Sequence, residues 1–415
     1  MANSEHLASI RQGVTAWNHW YKNNPKVVPD LSRADLSQLN LQGIDLSGAN
    51  LTEVNFSNTD LTQAKLDRAN LNKASLLRAN LSNASLEKAS LNHVIFTQTI
   101  INRQTTIARK TLRIYEIVNN LTKDKDFSEL DLSNSNLFRA DFKNADLSFA
   151  NLTNTNLSSA NLSNAYLYKA DLSNANLTNT NLTNAYLSQA NITKAYLGGA
   201  LCSGTYFKDA DLSFTSLKTT KFSSKTMIDL KWYWVWKIVN RGAVKKDLSD
   251  LDLSNANLQG ANFREANLTR AKLHNAILRG SNLTNANLTN ADLTGANVCG
   301  SDFTGANLKG AKIKTVVSDR RTKLSALASD NTDRPSPSMP DEQITTIHKV
   351  AAPQAAMAIP TARSKTNKNV LALLFAGVVA VLLAGTAIFL QNSGFLDRES
   401  EESWKQKLEK IIPAS

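Results

Sequence analysis

The sequence predicts an all-β solenoid in three blocks, with short capping or inserted α-helices, followed by one transmembrane helix. Three observations predict it. Apolar residues recur at every fifth position through most of the 415 residues. Two breaks, alike in length and pattern, interrupt that run. Near the C-terminus, residues 370–390 carry no charge.

The fivefold period comes first, because an internal repeat decides the architecture. Taking the central apolar residue of each unit as its centre, the first block runs from Leu31 through Leu36 and Leu41 to Ile101, in 15 units. A second runs from Phe127 to Phe222 in 20 units, and a third from Leu248 to Ile313 in 14. Two residues before each centre stands a small residue, as in the series Ala64, Ala69, Ala74, Ala79. Asn or Asp precedes the centre, and Ser, Thr, Asn or Lys follows it. No α-helix accommodates this pattern, because five residues advance a helix by about 500° and no stripe forms. A very short extended segment does, since residues two apart point to one side of a strand. The small residue and the centre then face inward while the other three turn the corner. One unit cannot bury its apolar side alone, but stacked coils can. Each buried centre contributes on the order of 1.5–3 kcal/mol.

The units resemble the pentapeptide repeat family, written Ala-(Asp/Asn)-Leu-x-x. Ala34-Asp35-Leu36, Ala170-Asp171-Leu172 and Ala256-Asn257-Leu258 match as they stand, and the resemblance covers roughly residues 31–313. It implies a right-handed quadrilateral β-helix with one pentapeptide per side and four per coil. Leu39, Ile44 and Val54 depart from it by replacing the small residue, which predicts local bulging. A coil of four units places Tyr166, Tyr186 and Tyr206 one above another on an outer face, with Tyr196 on the opposite face. That ladder is the candidate interaction face. It is either a binding stripe or a stack that only stabilises the coils.

Between the blocks, residues 102–126 and 223–247 are related at an offset of 121, and each holds an apolar helical pattern. Each is read as an amphipathic helix over an open coil end, where unpaired edges need a cover. The spacing does not decide whether these insertions separate the blocks or loop out of one rod. Separation is the expectation. In the N-terminal cap, residues 1–30, a helix is predicted over His6–Asn23, with Leu7, Ile10, Val14 and Trp17 on one face. Its Trp17-Asn18-His19-Trp20 opening looks like that of cyanobacterial pentapeptide proteins.

The first block spans 31–101, the second 127–222 and the third 248–317. Residues 318–369 are rich in Ser, Thr, Pro and Ala and read as a flexible linker. The uncharged stretch 370–390 suits a membrane span. Ala372, Ala376, Ala380 and Ala384 form its candidate packing face for self-association. The tail, 391–415, has Trp404, Leu408, Ile411 and Ile412 at helical spacing, as in a short amphipathic helix on a membrane surface. Arg363, Lys365 and Lys368 precede the span, and no secretory signal opens the chain. The expectation is a C-terminal anchor with the repeats facing the cytoplasm, in a plasma or thylakoid membrane.

The net charge of +12 is uneven. Residues 31–101 hold six Lys or Arg against six Asp or Glu, and residues 127–222 hold seven of each. No uniform basic face for nucleic acid results. The two cysteines, Cys202 and Cys299, make no disulfide framework. By phase Cys202 points inward and Cys299 outward. The five histidines are scattered without ligand spacing, and Gly198-Gly199 lies inside a repeat unit, not in a phosphate loop. No catalytic residue, metal site or cofactor is expected. The expected function is a non-enzymatic, membrane-tethered scaffold for an unidentified protein partner. The alternative is a DNA mimic that binds topoisomerase, which the basic charge and the anchor disfavour.

Overall fold

The computed structural model describes residues 2–323, which lie within one compact unit. Its backbone is a stack of coils joined by parallel bridges between residues 20 apart, such as Asp30↔Asn50 and Asn151↔Asp171. Each centre donates its N–H to the next coil, as in Leu172 N to Asn191 O at 2.7 Å. The partner residue returns the bond, Asn191 N to Ala170 O at 3.0 Å. Inside, centres and small residues are almost wholly buried, as at Leu172, Ala170, Leu258 and Ala256.

The corners explain why the repeat is five residues long. From each centre the chain folds into a turn closed by the N–H three residues on, as in Ala34 N to Leu31 O at 3.0 Å. The third residue of that turn holds positive φ, including Arg33 at 60°, Lys73 at 61° and Phe149 at 61°. This is a type II turn, which favours Gly or Asn at that position. A non-glycine residue there costs about 1–2 kcal/mol. Its own N–H joins the ladder, as in Arg33 N to Thr52 O at 2.8 Å, and this offsets the cost.

Polar residues can occupy the small inward position because a hydroxyl finds a carbonyl there. Buried Thr180 donates to Leu157 O at 2.9 Å, and Ser281 to Leu258 O at 2.9 Å. No buried side-chain N or O among the described residues lacks a partner. The bulging expected at Leu39, Ile44 and Val54 does not occur. Bridges Asp35↔Asn55 and Asp45↔Lys65 keep the 20-residue spacing. Ile44 and Val54 are buried, and Leu39 turns outward.

The N-terminal cap is two helices, not one: α1 (Ser4–Arg11) and α2 (Val14–Asn23). Gly13, at φ +100°, breaks the expected helix. That angle is open to glycine and strained for other residues. Asn3 caps α1 by accepting from the N–H groups of Glu5 and His6. α2 covers the first coil: Trp17 is fully buried and its Nε1 donates to Asp45 O at 2.7 Å. Asn18 completes the edge, donating to Gly43 O and accepting from Asp45 N.

Parallel bridges fall into three runs, 30–106, 126–227 and 247–323. Each run ends on one spacing of 21: Ser85↔Thr106, Tyr206↔Met227 and Asp302↔Lys323. After the first two comes a helix, α3 (Arg109–Val118) or α4 (Leu230–Arg241). From Thr106 to Asp126, and from Met227 to Asp247, is one coil's length, so each helix stands in for three sides of a coil. The insertions therefore neither loop out nor break the stack apart. They interrupt the ladder, and the flanking coils still meet at one corner. His93 N donates to Asn134 O at 2.8 Å, and Phe214 N to Asn255 O at 2.7 Å.

Both junctions are built alike, 121 residues apart. Asn119 Nδ2 donates to Phe96 O and its Oδ1 accepts from Gln98 N. Asn240 does the same with Leu217 O and Thr219 N. Lys110 reaches Asp131 and Ser133 in the next coil, and Lys231 reaches Asp252 and Ser254. Leu121 lies beyond the end of α3 and is exposed.

The third block runs past its expected end at 317, since Phe303 N donates to Lys323 O at 2.8 Å. Residues 318–323 are thus coil, not linker. Among the described residues no helix is long and apolar enough to cross a membrane. The expected linker from 324, the span 370–390, its alanine face and the tail lie outside the described residues.

Asn240 supplies both a donor and an acceptor that the helix cannot offer to the coil end. Replacing it with Ala leaves Thr219 N–H and Leu217 C=O without their partner, so Asn240→Ala should destabilise by about 1–3 kcal/mol. Urea unfolding of wild type and variant measures this. A change within about 0.5 kcal/mol would mean that water fills the role.

Candidate interaction face

The recurring Asp and Asn residues before the centres serve the fold. Each accepts, through Oδ1, the N–H two residues on, as in Ser173 N to Asp171 at 2.9 Å. An Asn in this position also reaches the coil before it, as in Asn191 Nδ2 to Asp171 Oδ1 at 3.1 Å. Hydrogen bonds from Ser37 hold the Asp35 carboxyl below its usual range, and those from Ser249 do so for Asp247. Such carboxylates are poor proton donors. Among the described residues no group of three or more His, Cys, Asp or Glu is placed to hold a metal ion. A groove of about 580 Å³ lies between α1 and α2, lined by Glu5, Gln12, His19 and Trp20 among others.

Both cysteines are free. Burial pushes the Cys202 thiol up to about 12, against a hydrogen bond with Thr205. Cys299 was expected outside, but it is half-buried, with its Sγ 3.9 Å from Val317 O in the following coil. Burial, with Asp319 nearby, raises this thiol too. Neither offers a ready thiolate. A thiol reagent at neutral pH should leave Cys202 unmodified in the native protein and label it after unfolding. Fast native labelling would mean that its coil opens.

The tyrosine ladder forms as expected. Tyr166, Tyr186 and Tyr206 are joined by bridges. The first two rings stack at 5.1 Å with 9° between planes, and Tyr186 and Tyr206 lie 6.4 Å apart at 37°. Tyr166 is 52% exposed and Tyr186 48%. Tyr196 projects at 59% exposure from a column two sides away, on the opposite face.

The same side carries more than the ladder. Phe149 is 52% exposed and meets Tyr168 edge-on at 5.5 Å. Lys169 lies over both rings, its Nζ 5.9 Å and 5.3 Å from their centroids. Exposed Met227 extends the tyrosine column by one bridge. Sequence reading passed over Phe149 and Tyr168 because they stand at corner positions, where side chains show no period. Their offset of 2 and 1 from centres in the ladder's own column would have placed them on this side.

The fold does not require aromatic residues here. At the matching bridges of the first block stand Asp45, Lys65, Ser85 and Thr106. The third block has Asp247, Asn267, Asn287 and Asn307.

The family model for pentapeptide repeats matches in eight copies, over residues 30–98, 126–223 and 247–316. That is more than half of the chain. The chain belongs to the pentapeptide repeat family. Membership implies a right-handed β-helix solenoid, and proteins of this family are generally structural or interaction proteins. No curated protein matches this pentapeptide repeat protein.

Several solved structures are similar to it. HetL, a pentapeptide repeat protein involved in heterocyst differentiation regulation in Nostoc sp. strain PCC 7120, is 25% identical. That match covers 77% of this chain and 97% of HetL, with a TM-score of 0.21. A protein of the Arabidopsis thaliana thylakoid lumen is 29% identical over 28% of this chain and 78% of its own, at 0.25. The plasmid-mediated fluoroquinolone resistance protein QnrB1 is 18% identical over 46% and 90%, at 0.19.

Proposed function

We propose that this pentapeptide repeat protein is a non-enzymatic scaffold that presents the Tyr166–Tyr186–Tyr206 side of its second block to a protein partner. One observation carries the reading. On the same backbone bridges, a column that is polar in the first and third blocks carries three successive tyrosines in the second, Tyr166 and Tyr186 exposed and Tyr206 half-buried. Aromatic residues and Met are enriched at protein interfaces, where they bring large area at small entropic cost. Phe149, Tyr168 and Met227 widen the patch.

The scaffold is tethered. Residues 370–390 span the membrane as a C-terminal anchor, with the coils on the cytoplasmic side. The support is the uncharged stretch, its length, and Arg363, Lys365 and Lys368 ahead of it. A DNA-mimic role calls for an acidic surface, and the second block is balanced at seven charges of each sign.

Replacing all three tyrosines with Ser removes two ring contacts worth about 0.5–1.5 kcal/mol each. Stability should fall by that order. Partner capture from detergent-solubilised membranes should fall by about tenfold or more. Tyr196→Ser should leave capture unchanged. Lower stability with full capture would mean that the ladder only stabilises the coils.

Protease added to sealed, right-side-out vesicles should remove the tail and spare the coils. Cleavage before 370 with the tail intact would reverse the orientation.

A further inference from the structure

We propose that the C-terminal end of the third block docks on an anionic lipid surface. The inference rests, for its placement, on the membrane-tether reading.

The three ladders end on one turn: residues 102–106, 223–227 and 319–323. In each, a threonine Oγ1 accepts the N–H of the first turn residue, at 3.1 Å for Thr105, 3.0 Å for Thr226 and 3.1 Å for Thr322. Each hydroxyl also donates to a carbonyl of the coil before: Leu81, Cys202 or Val298. After the first two turns a helix closes the end, inserting Ile114 and Ile117, or Val235 and Ile238. Counting equally from Thr322, those places fall on Asn331 and Arg334. Neither is apolar, unlike the residues at those places after the other two turns.

Among the described residues nothing covers this end. Every centre from Leu253 to Phe303 is at most 2% exposed, yet Leu308 and Ile313 in the last coil are only half-buried. Val316, the inward residue of the next side, is half-buried as well. Around this apolar end the charge is one-sided. Residues 304–323 hold Lys309, Lys312, Lys314, Arg320, Arg321 and Lys323 against a single acid, Asp319. Arg321 pairs with Asp319 at 2.7 Å, and Lys323 with Asp302 of the preceding coil at 3.0 Å. The other four cations are exposed and come within ion-pair distance of no described carboxylate. They fall on three of the coil's four sides, with Lys312 and Lys314 flanking Ile313.

An apolar centre with cations on three sides matches a leaflet with anionic headgroups, which attracts cations within a Debye length of about 8–10 Å. A second copy would bring two like-charged ends together. A nucleic acid would gain from the cations but not from Leu308, Ile313 or Val316. Only residues 324–369 separate this end from the uncharged stretch 370–390, so a tethered chain holds it near lipid.

The test uses the full chain in vesicles of phosphatidylcholine, with and without phosphatidylserine. Amide hydrogen exchange of residues 304–323 is followed. Phosphatidylserine should slow it by about tenfold or more. Raised salt should reverse the effect, and so should the combined substitution Lys309→Gln, Lys312→Gln, Lys314→Gln and Arg320→Gln. The lipid and salt arms use the unaltered protein, so misfolding of the variant cannot mask the answer. Equal exchange in both lipids overturns the proposal. So does protection that grows with protein concentration without lipid, which assigns the end to a second copy, or protection by duplex DNA in detergent. Failure of the chain to remain with phosphatidylcholine vesicles would defeat the tether alone. Charge-dependent protection in phosphatidylserine would still decide this proposal.

Discussion

The hydrogen bond from each centre to the coil beyond it is the interaction on which the structure depends. Leu31 N to Asn50 O, and Asn50 N back to Pro29 O, is the pair repeated along each block. It requires every coil to return after 20 residues. That requirement sets the corners, because only a turn with positive φ at its third residue brings the next centre inward. It also sets the interior, because stacked coils place leucine on leucine and leave a filled core. The Asx bond, such as Ser173 N to Asp171 Oδ1, satisfies a further N–H at each side. Side chains thereby complete what the ladder leaves unmade.

Such a ladder has no natural stopping point, so its ends need separate solutions. The chain uses a helix three times for this. α2 presents Trp17 and Asn18 to the first coil, while α3 and α4 present Asn119 and Asn240. In each case a side-chain amide or indole takes the part of a neighbouring coil's backbone. At α4 aromatic packing adds to this, with Trp236 stacked on Phe222 at 5.0 Å and donating to Thr220 O. Phe pairs mark both end coils of the second block: Phe127 with Phe142 at 5.5 Å, and Phe207 with Phe222 at 6.0 Å. Larger rings fill an end that has a coil on one side only.

Because the backbone carries the ladder, the residue before each centre is free to vary. Asp45, Lys65 and Ser85 hold the same bridges as Tyr166, Tyr186 and Tyr206. A fold of this kind offers outer columns that can change chemistry without changing the core.

The repeat and the stacking of residues 20 apart were legible in the sequence, because a period of five repeated through stacked coils makes sequence spacing and spatial spacing the same quantity. Burial of Leu36, Leu137 and Leu258 follows from phase alone. Tertiary structure decided what that period does not carry. Gly13, at φ +100°, divides the N-terminal helix into two segments, of which α2 docks on the first coil. Ile44 and Val54 are buried without a bulge, in coils that keep the 20-residue spacing. The ladder runs on to Lys323, though apolar periodicity stops at 317, since a turn bound through Thr322 needs no apolar centre. Each inserted helix takes the place of three coil sides because its length and amide contacts match an open coil end. That match depends on two surfaces meeting, which no spacing within one segment encodes.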